Sequence, residues 1–157
     1  MKKFFYGLIL ATAGLGGTAM AESHMSNEGL MKAAKARQAT MQLYAFNLGV
    51  LGNMAKGTTD YDAEAASAAA GNLVKLSTQD QTAYWLPGTA QGEIEGSRAL
   101  PAIWDDMAGV SEAAQALVDA AMTLEEAAGT DLDALRAAMG GLGGACGGCH
   151  KAYRASQ

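Results

Sequence analysis

Apolar and small residues recur every three or four positions along four stretches of the chain. This spacing places them on one face of a helix and therefore predicts four amphipathic α-helices. The first covers residues 27–55 and the second residues 61–76. The third begins near Pro101, a residue suited to a first helical turn, and ends at Gly129. The fourth follows the capping residues Thr130-Asp131 and continues to Tyr153.

Each predicted helix has a set of positions expected to face inward. In the first helix these are Leu30, Ala34, Met41, Ala45, Leu48 and Leu51; in the second, Ala66, Ala69, Leu73 and Leu76; in the third, Ile103, Met107, Val110, Ala114, Leu117, Ala121 and Leu124; and in the fourth, Leu132, Leu135, Met139, Leu142, Cys146, Cys149 and Tyr153.

The connections between the helices predict the architecture. Residues 56–60 and the region around Gly129 are short connections, whereas residues 77–97 form a long one between the second and third helices. Valine occurs only at positions 50, 74, 110 and 118, so strands are disfavoured. The predicted fold is all-α: an antiparallel, up-down-up-down four-helix bundle with a long loop between helices 2 and 3.

The fourth helix contains six glycines, at positions 140, 141, 143, 144, 147 and 148. Each costs about 1 kcal/mol of helix propensity relative to alanine. Either residues 140–144 form a loop, or the helix continues and the small residues admit a flat cofactor and a neighbouring helix. We favour the second interpretation.

The N-terminus has the pattern of an export signal. Lys2 and Lys3 precede an apolar segment, residues 4–17, and Ala19-Met20-Ala21 is an A-x-A cleavage site. Residues 1–21 are therefore predicted to be removed near Ala21, leaving residues 22–157 as one domain in the periplasm, without a membrane span. Whether Ser23-His24-Met25 is native or a remnant of cloning is left open.

The charge of the exported chain narrows the possible partners. Of the 11 Lys and Arg residues, Lys2 and Lys3 leave with the signal, so 9 basic residues face 16 acidic ones, a net charge of −7. Nucleic acid is disfavoured because phosphate binding needs a basic surface. The acidity is compatible with transient docking to a basic redox partner.

The chemistry of the chain is concentrated near its end, in Cys146-Gly147-Gly148-Cys149-His150. Two thiols three positions apart lie on one helix face, where they can add to the two vinyl groups of a haem, and the next histidine can ligate its iron. The motif therefore predicts one covalent haem c. The alternatives are a thiol-redox protein that uses Cys146 and Cys149, and a zinc site. The zinc site lacks ligands, because His24 is the only other histidine. With no catalytic constellation elsewhere, we predict that the protein is not an enzyme.

Several segments together resemble the cytochrome c′ family, the class II c-type cytochromes. They are Cys146–Arg154 at the C-terminus, Arg37-Gln38-Ala39-Thr40-Met41 in the first helix, Pro87-Gly88-Thr89 in the long loop, and Pro101-Ala102-Ile103-Trp104 at the start of the third helix. The resemblance implies a periplasmic haem protein that carries electrons, binds nitric oxide or does both, and that forms homodimers.

The resemblance also assigns roles to individual residues. It makes Cys146 and Cys149 the thioether attachments, His150 the proximal iron ligand, and Arg37 and Gln38 contacts of a haem propionate. Arg154 would lie beside the proximal face, and Arg98 in the long loop could reach a propionate as well.

Met41 would face the distal side of the haem. There it either shields a five-coordinate iron or ligates a six-coordinate one as in a His/Met electron carrier, and the sequence leaves both open.

Overall fold

A computed structural model describes residues 26–156 of the chain. Its elements are α1 (Asn27–Lys56), α2 (Ala63–Thr78), a 3₁₀ helix (Thr82–Tyr84), α3 (Ala102–Asp105), α4 (Met107–Ala128) and α5 (Leu132–Tyr153). The four long helices pack as a closed ring in which α1 contacts α2 and α5, and α4 contacts α2 and α5. The predicted all-α four-helix bundle is confirmed. The predicted signal, residues 1–21, lies outside the described residues.

Every long helix begins at a side chain that accepts a hydrogen bond from a backbone N–H of its first turn, which satisfies one otherwise unpaired donor. The capping residues are Ser26, Asp62, Asp106 and Asp131. Gly57 ends α1 in the left-handed conformation, at φ 74°, which glycine adopts without strain. These local interactions stabilise the starts of the four long helices and the end of α1.

The two ends of the bundle differ in how they are connected. At one end, the closed end, residues 57–62 and 129–131 make short turns between helices. At the other, the open end, residues 79–101 form the long loop and residues 154–156 follow α5. The loop and the C-terminal residues pair there, because Ala155 N–H donates to the Arg98 carbonyl at 2.9 Å.

The third predicted helix is divided in the structure. Asp106, at φ −131° and ψ 59°, separates the four-residue α3 from α4 and caps α4 with its own carboxylate. The predicted inward positions Met107 and Ala114 are exposed. A single continuous third helix was therefore wrong in its first turns.

The buried face of α1 agrees with the predicted one except at Ala45. Tyr44 is buried and its neighbour Ala45 is exposed, and Arg37, Thr40 and Asn47 lie on the buried face. These polar residues are tolerated because each has hydrogen-bond partners; Thr40 Oγ1, for example, donates to the Ala36 carbonyl at 3.0 Å. Small apolar residues occur on several faces of this helix, so hydrophobicity alone misplaced Ala45.

Helix α5 continues through all six glycines, as favoured from the sequence. However, all six are exposed, and a Cβ added at any of them would meet no atom of the described chain within 4 Å. The expectation that these glycines admit a neighbouring helix is therefore wrong. Among residues 26–156, no helix combines the length and the hydropathy that a membrane crossing requires.

Candidate functional site

The Cys-x-x-Cys-His motif occupies the last two turns of α5, at the open end of the bundle. Both cysteines are unpaired thiols and half-buried. Burial raises the pKa of both thiols; a charge on Cys146 raises that of Cys149 further, and Arg154 opposes the rise. The thiols are therefore protonated at neutral pH and sheltered from bulk solvent.

This environment does not suit a thiol-redox site. Reactive cysteines have a lowered pKa, commonly at a helix N-terminus where the helix dipole stabilises a thiolate. Cys146 and Cys149 instead lie near the C-terminal, negative end of a 22-residue helix. Within residues 26–156, no group of three or more His, Cys, Asp or Glu side chains could hold a metal ion, which weighs against zinc.

His150 lies beside the thiols and is half-buried. Its pKa is lowered, first by burial and then by the positive charges of Arg154 and Arg98. The imidazole is therefore neutral at pH 7, which is the form that ligates a metal. The predicted axial ligand thus has the protonation state that this role requires.

Tyr44 lies on α1, which contacts α5, and it is near Cys146. Its side chain is 6 % exposed, and its hydroxyl has no hydrogen-bond partner of good geometry within the described chain. Burial raises the pKa of the phenol; the nearby Gln81 amide lowers it, and a charge on Cys146 would raise it. A buried donor without an acceptor is costly. The position of the Tyr44 hydroxyl near Cys146 fits a site that binds an additional group whose oxygen atoms can accept this hydrogen bond, and haem is such a group.

Met41 lies one turn before Tyr44 on α1 and is partly buried against the core. It shares this side of α1 with Tyr44, since the two residues are three positions apart. This partial burial does not distinguish a methionine that shields the haem iron from one that ligates it, so both roles of Met41 remain predictions.

Arg37 connects α1 to the long loop. Its Nη1 donates to the Tyr84 carbonyl at 3.1 Å and to Thr89 Oγ1 at 2.9 Å. Its Nη2 donates to the Thr89 carbonyl at 3.0 Å and to Ser97 Oγ at 3.2 Å. The guanidinium also lies 4.9 Å from the centre of the Trp85 ring, a favourable cation–π distance. Both terminal nitrogens are therefore engaged by the loop, and a propionate contact of Arg37 stays a prediction.

Gln38 and Arg98 also contact backbone carbonyls at the open end. Gln38 Nε2 donates to the Gly96 carbonyl at 3.1 Å. Arg98 donates from Nε at 3.2 Å and from Nη2 at 2.6 Å to the carbonyl of Ala155. Arg154 is exposed and close enough to His150 to act on its charge. The structure thus brings Arg98 and Arg154 to His150, and it places Gln38 of α1 against the adjacent long loop.

Tyr153 and Asp106 form a further contact that sequence reasoning missed. The Tyr153 hydroxyl donates to Asp106 Oδ2 at 2.6 Å, which joins the last turn of α5 to the first residue before α4. The contact with Asp106 raises the pKa of Tyr153 to about 12, and the same hydrogen bond lowers the pKa of Asp106. The helix break at Asp106, which no pattern in the sequence indicated, is what makes this contact possible.

Comparison with known proteins places the chain in a family. The family model described as Cytochrome C′ matches residues 32–154. Cytochrome c-554 of Cereibacter sphaeroides is 46% identical over 118 residues, which are 75% of this chain and 77% of that protein. The chain belongs to the cytochrome c′ family. Proteins of the cytochrome c′ family carry a covalently bound haem c, so the predicted cofactor is confirmed.

Two solved structures of cytochromes c′ extend the similarity to the fold. A nitric oxide complex of a variant from Alcaligenes xylosoxidans matches with a TM-score of 0.70 and 38% identity, covering 81% of this chain and 97% of that one. A cytochrome c′ described as having an unusual ligand-controlled dimer dissociation matches with a TM-score of 0.74 and 28% identity, covering 85% of this chain and 100% of that one.

Proposed function

We propose that the protein, as residues 22–157 after export, is a periplasmic mono-haem cytochrome c′-like protein and not an enzyme. It transfers electrons, binds nitric oxide, or does both, at an iron ligated by His150. The observation that carries this proposal is the placement of Cys146, Cys149 and His150 together in the last two turns of α5, all half-buried. The periplasmic location depends on the predicted signal, residues 1–21.

Each residue of the site has a task that its environment supports. Cys146 and Cys149 hold the haem through two thioethers, and protonated, sheltered thiols fit that permanent attachment. His150 offers a neutral imidazole nitrogen to the iron. When bound, the haem supplies an iron that changes its oxidation state and can take a diatomic ligand.

The basic and amide side chains of the open end complete the site. Gln38 and Arg98 are our candidates for holding the haem propionates, since a cation or amide N–H binds a carboxylate directly. Arg154 lies on the side of His150. Arg37 acts mainly by ordering the loop that carries Arg98, and a direct propionate contact would use its remaining Nε–H.

A second candidate for the coordination state depends on Met41. As a shield, Met41 leaves the sixth position free for nitric oxide, in keeping with the similarity to a cytochrome c′ solved as a nitric oxide complex. As a sixth ligand, it gives a His/Met iron with a raised potential, suited to electron transfer. Its partial burial one turn from Tyr44 supports a position on the haem-facing side of α1 in either case.

The experiment that tests the proposal records optical and low-temperature EPR spectra of the ferric and ferrous protein, with and without nitric oxide, for the native chain and Met41→Ala. We expect a haem that stays attached after denaturation. A high-spin ferric signal would make Met41 a shield. A low-spin signal with a methionine-to-iron band, lost in Met41→Ala, would make it a ligand.

Met54→Ala is the matched control, because Met54 is buried on the same helix at the closed end. It should lower stability and leave the haem spectrum unchanged. A colourless protein produced together with the c-type maturation machinery would contradict the proposed function as a whole.

The exposed face of α1 is relevant to the formation of a homodimer. Leu43 and Phe46 are 52 % and 70 % exposed, although they are large and apolar. Such residues on one face mark an interaction surface. Together with the similarity to a cytochrome c′ that dissociates from a dimer, they support a homodimer formed through α1.

A further inference from the structure

The charge around His150 is opposite in sign to that of the whole chain. The exported chain has a net charge of −7. However, three of its nine basic residues, Arg98, Lys151 and Arg154, lie together at the open end. With His150, Gly147, Ala155 and Ser156 they line a surface depression of about 740 Å³.

The three cations of this basic surface are held in place by the fold. Arg98 is fixed by its two hydrogen bonds to Ala155, and the backbone of Ala155 is paired in turn with Arg98. Lys151 lies in the last turn of α5 and Arg154 directly follows the helix, so both project from a rigid element. The basic surface therefore does not depend on mobile side chains alone.

The basic surface is not neutralised by the carboxylates described around it. Within residues 26–156 the two ion pairs are Lys32–Glu28 and Arg136–Asp133, neither of which involves these three cations. Asp106, directly before α4, and Glu112 on α4 act on Tyr153, whose hydroxyl donates to Asp106. Lys151 and Arg154 are thus available to a negatively charged partner, and Arg98, our candidate for a propionate contact, adds its positive charge beside them.

We propose that Arg98, Lys151 and Arg154 form the docking surface for the acidic face of a redox protein, which exchanges one electron with the haem iron beside His150. This inference rests on the proposed function and reverses the partner expected from the net charge of the chain. Over distances longer than a Debye length, about 10 Å at 0.1 M salt, distant acidic residues are screened, so the local basic surface governs docking. In this exchange one of the two proteins loses one electron and the other gains it, and no atom is transferred.

The test compares the ferrous holoprotein with Lys151→Glu and Lys56→Glu. Lys56 is a matched control: both lysines are exposed and lie in the last turn of a helix. The carbonyl of the adjacent Ala55 accepts from Arg136, which is 15 residues, or about 22 Å of helix, from Lys151. Both variants change the net charge equally, so only position distinguishes them.

Oxidation by the anionic probe hexacyanoferrate(III), followed by stopped flow, gives the first readout. We expect the native rate to fall as ionic strength rises. Lys151→Glu should lower the rate by about tenfold at 0.1 M ionic strength, and Lys56→Glu by less than about twofold. A rate that rises with salt, or equal effects of the two variants, would overturn the inference.

Binding of an acidic polypeptide gives a second readout that does not depend on electron transfer. Addition of poly-L-glutamate should shift the backbone amide NMR signals of residues 98, 151 and 154, and Lys151→Glu should abolish the shift. Sensitivity to hexacyanoferrate without polyglutamate binding would show a site for small anions only and would overturn the docking proposal. Failure of the proposed function is recognised separately, as a protein without covalent haem.

Discussion

The closed and open ends of the bundle are built differently. At the closed end, Leu124, Ala128 and Leu135 are fully buried, and the connections between helices are only a few residues long. At the open end, the buried positions include the charged Arg37 and the unpartnered hydroxyl of Tyr44, and the functional cysteines are only half-buried. The closed end is a conventional apolar core, whereas the open end is held by polar contacts to a long loop.

This difference shows how one small bundle combines a stable apolar core with a candidate haem site. Apolar burial at the closed end holds the four helices in register. The open end can then keep groups that do not stabilise the protein by themselves: half-buried thiols, a neutral histidine and an orphaned phenol. Three variants, each with a control variant, sharpen the comparison.

Arg37→Lys should have the largest effect. A lysine ammonium cannot reproduce the fork that binds Tyr84, Thr89 and Ser97, and hydrogen bonds from a charged donor contribute about 1.5–3 kcal/mol. We expect the free energy of unfolding to fall by about 3 kcal/mol, measured by urea denaturation, with faster hydrogen exchange in residues 82–97.

Leu135→Ala is the control for Arg37→Lys at the closed end. Truncation of this fully buried leucine should cost a similar amount, about 3 kcal/mol, through the cavity it leaves. Hydrogen exchange in the loop should then be unaffected beyond the global loss. Equal loop exchange in both variants would contradict the anchoring role of Arg37.

Tyr44→Phe should change the stability of the holoprotein less than Arg37→Lys does. The direction of the change shows whether the Tyr44 hydroxyl is hydrogen-bonded. If the holoprotein provides an acceptor for this hydroxyl, as we expect from its position near Cys146, its removal lowers stability by about 1 kcal/mol. Thermal denaturation of the holoprotein measures the change. A gain in stability would instead show that the hydroxyl has no partner.

Tyr61→Phe calibrates the effect of Tyr44→Phe. The Tyr61 hydroxyl donates to the Ala128 carbonyl at 2.9 Å at the closed end. Its loss should also cost about 1 kcal/mol, because it leaves a carbonyl without its partner.

Gly140→Ala should have the smallest effect and should stabilise the protein. The new Cβ meets open space, and alanine is favoured over glycine in a helix by about 0.8 kcal/mol. Urea denaturation should detect this gain. Gly57→Ala is the opposite control, because φ 74° strains any side chain and stability should fall by about 1 kcal/mol. Loss of stability in Gly140→Ala would show that something packs against this face of α5.

Parts of the fold followed from local patterns and parts did not. The cap at Thr130-Asp131 and the spacing of apolar residues predicted the order of the long helices, because caps and periodicity act within one or two turns. The break at Asp106 was missed, because it is stabilised by Tyr153, 47 residues away. The sequence analysis also placed Ala45 instead of Tyr44 on the buried face of α1, because alanine is compatible with both a core and a surface.

The sequence by itself determined the chemistry of this protein. Cys146, Cys149 and His150 are adjacent in the chain, so their spacing predicts haem attachment before any folding is known. Only the tertiary structure decided what surrounds that motif. In the folded protein Arg37 donates hydrogen bonds to the long loop, and the Tyr44 hydroxyl has no hydrogen-bond partner within the described chain. Arg98, Lys151 and Arg154 lie together as a basic surface on an acidic chain. The physical reason is that hydrogen bonds and electrostatic potentials depend on distance in space, and these residues meet only after the long loop and the C-terminus come together.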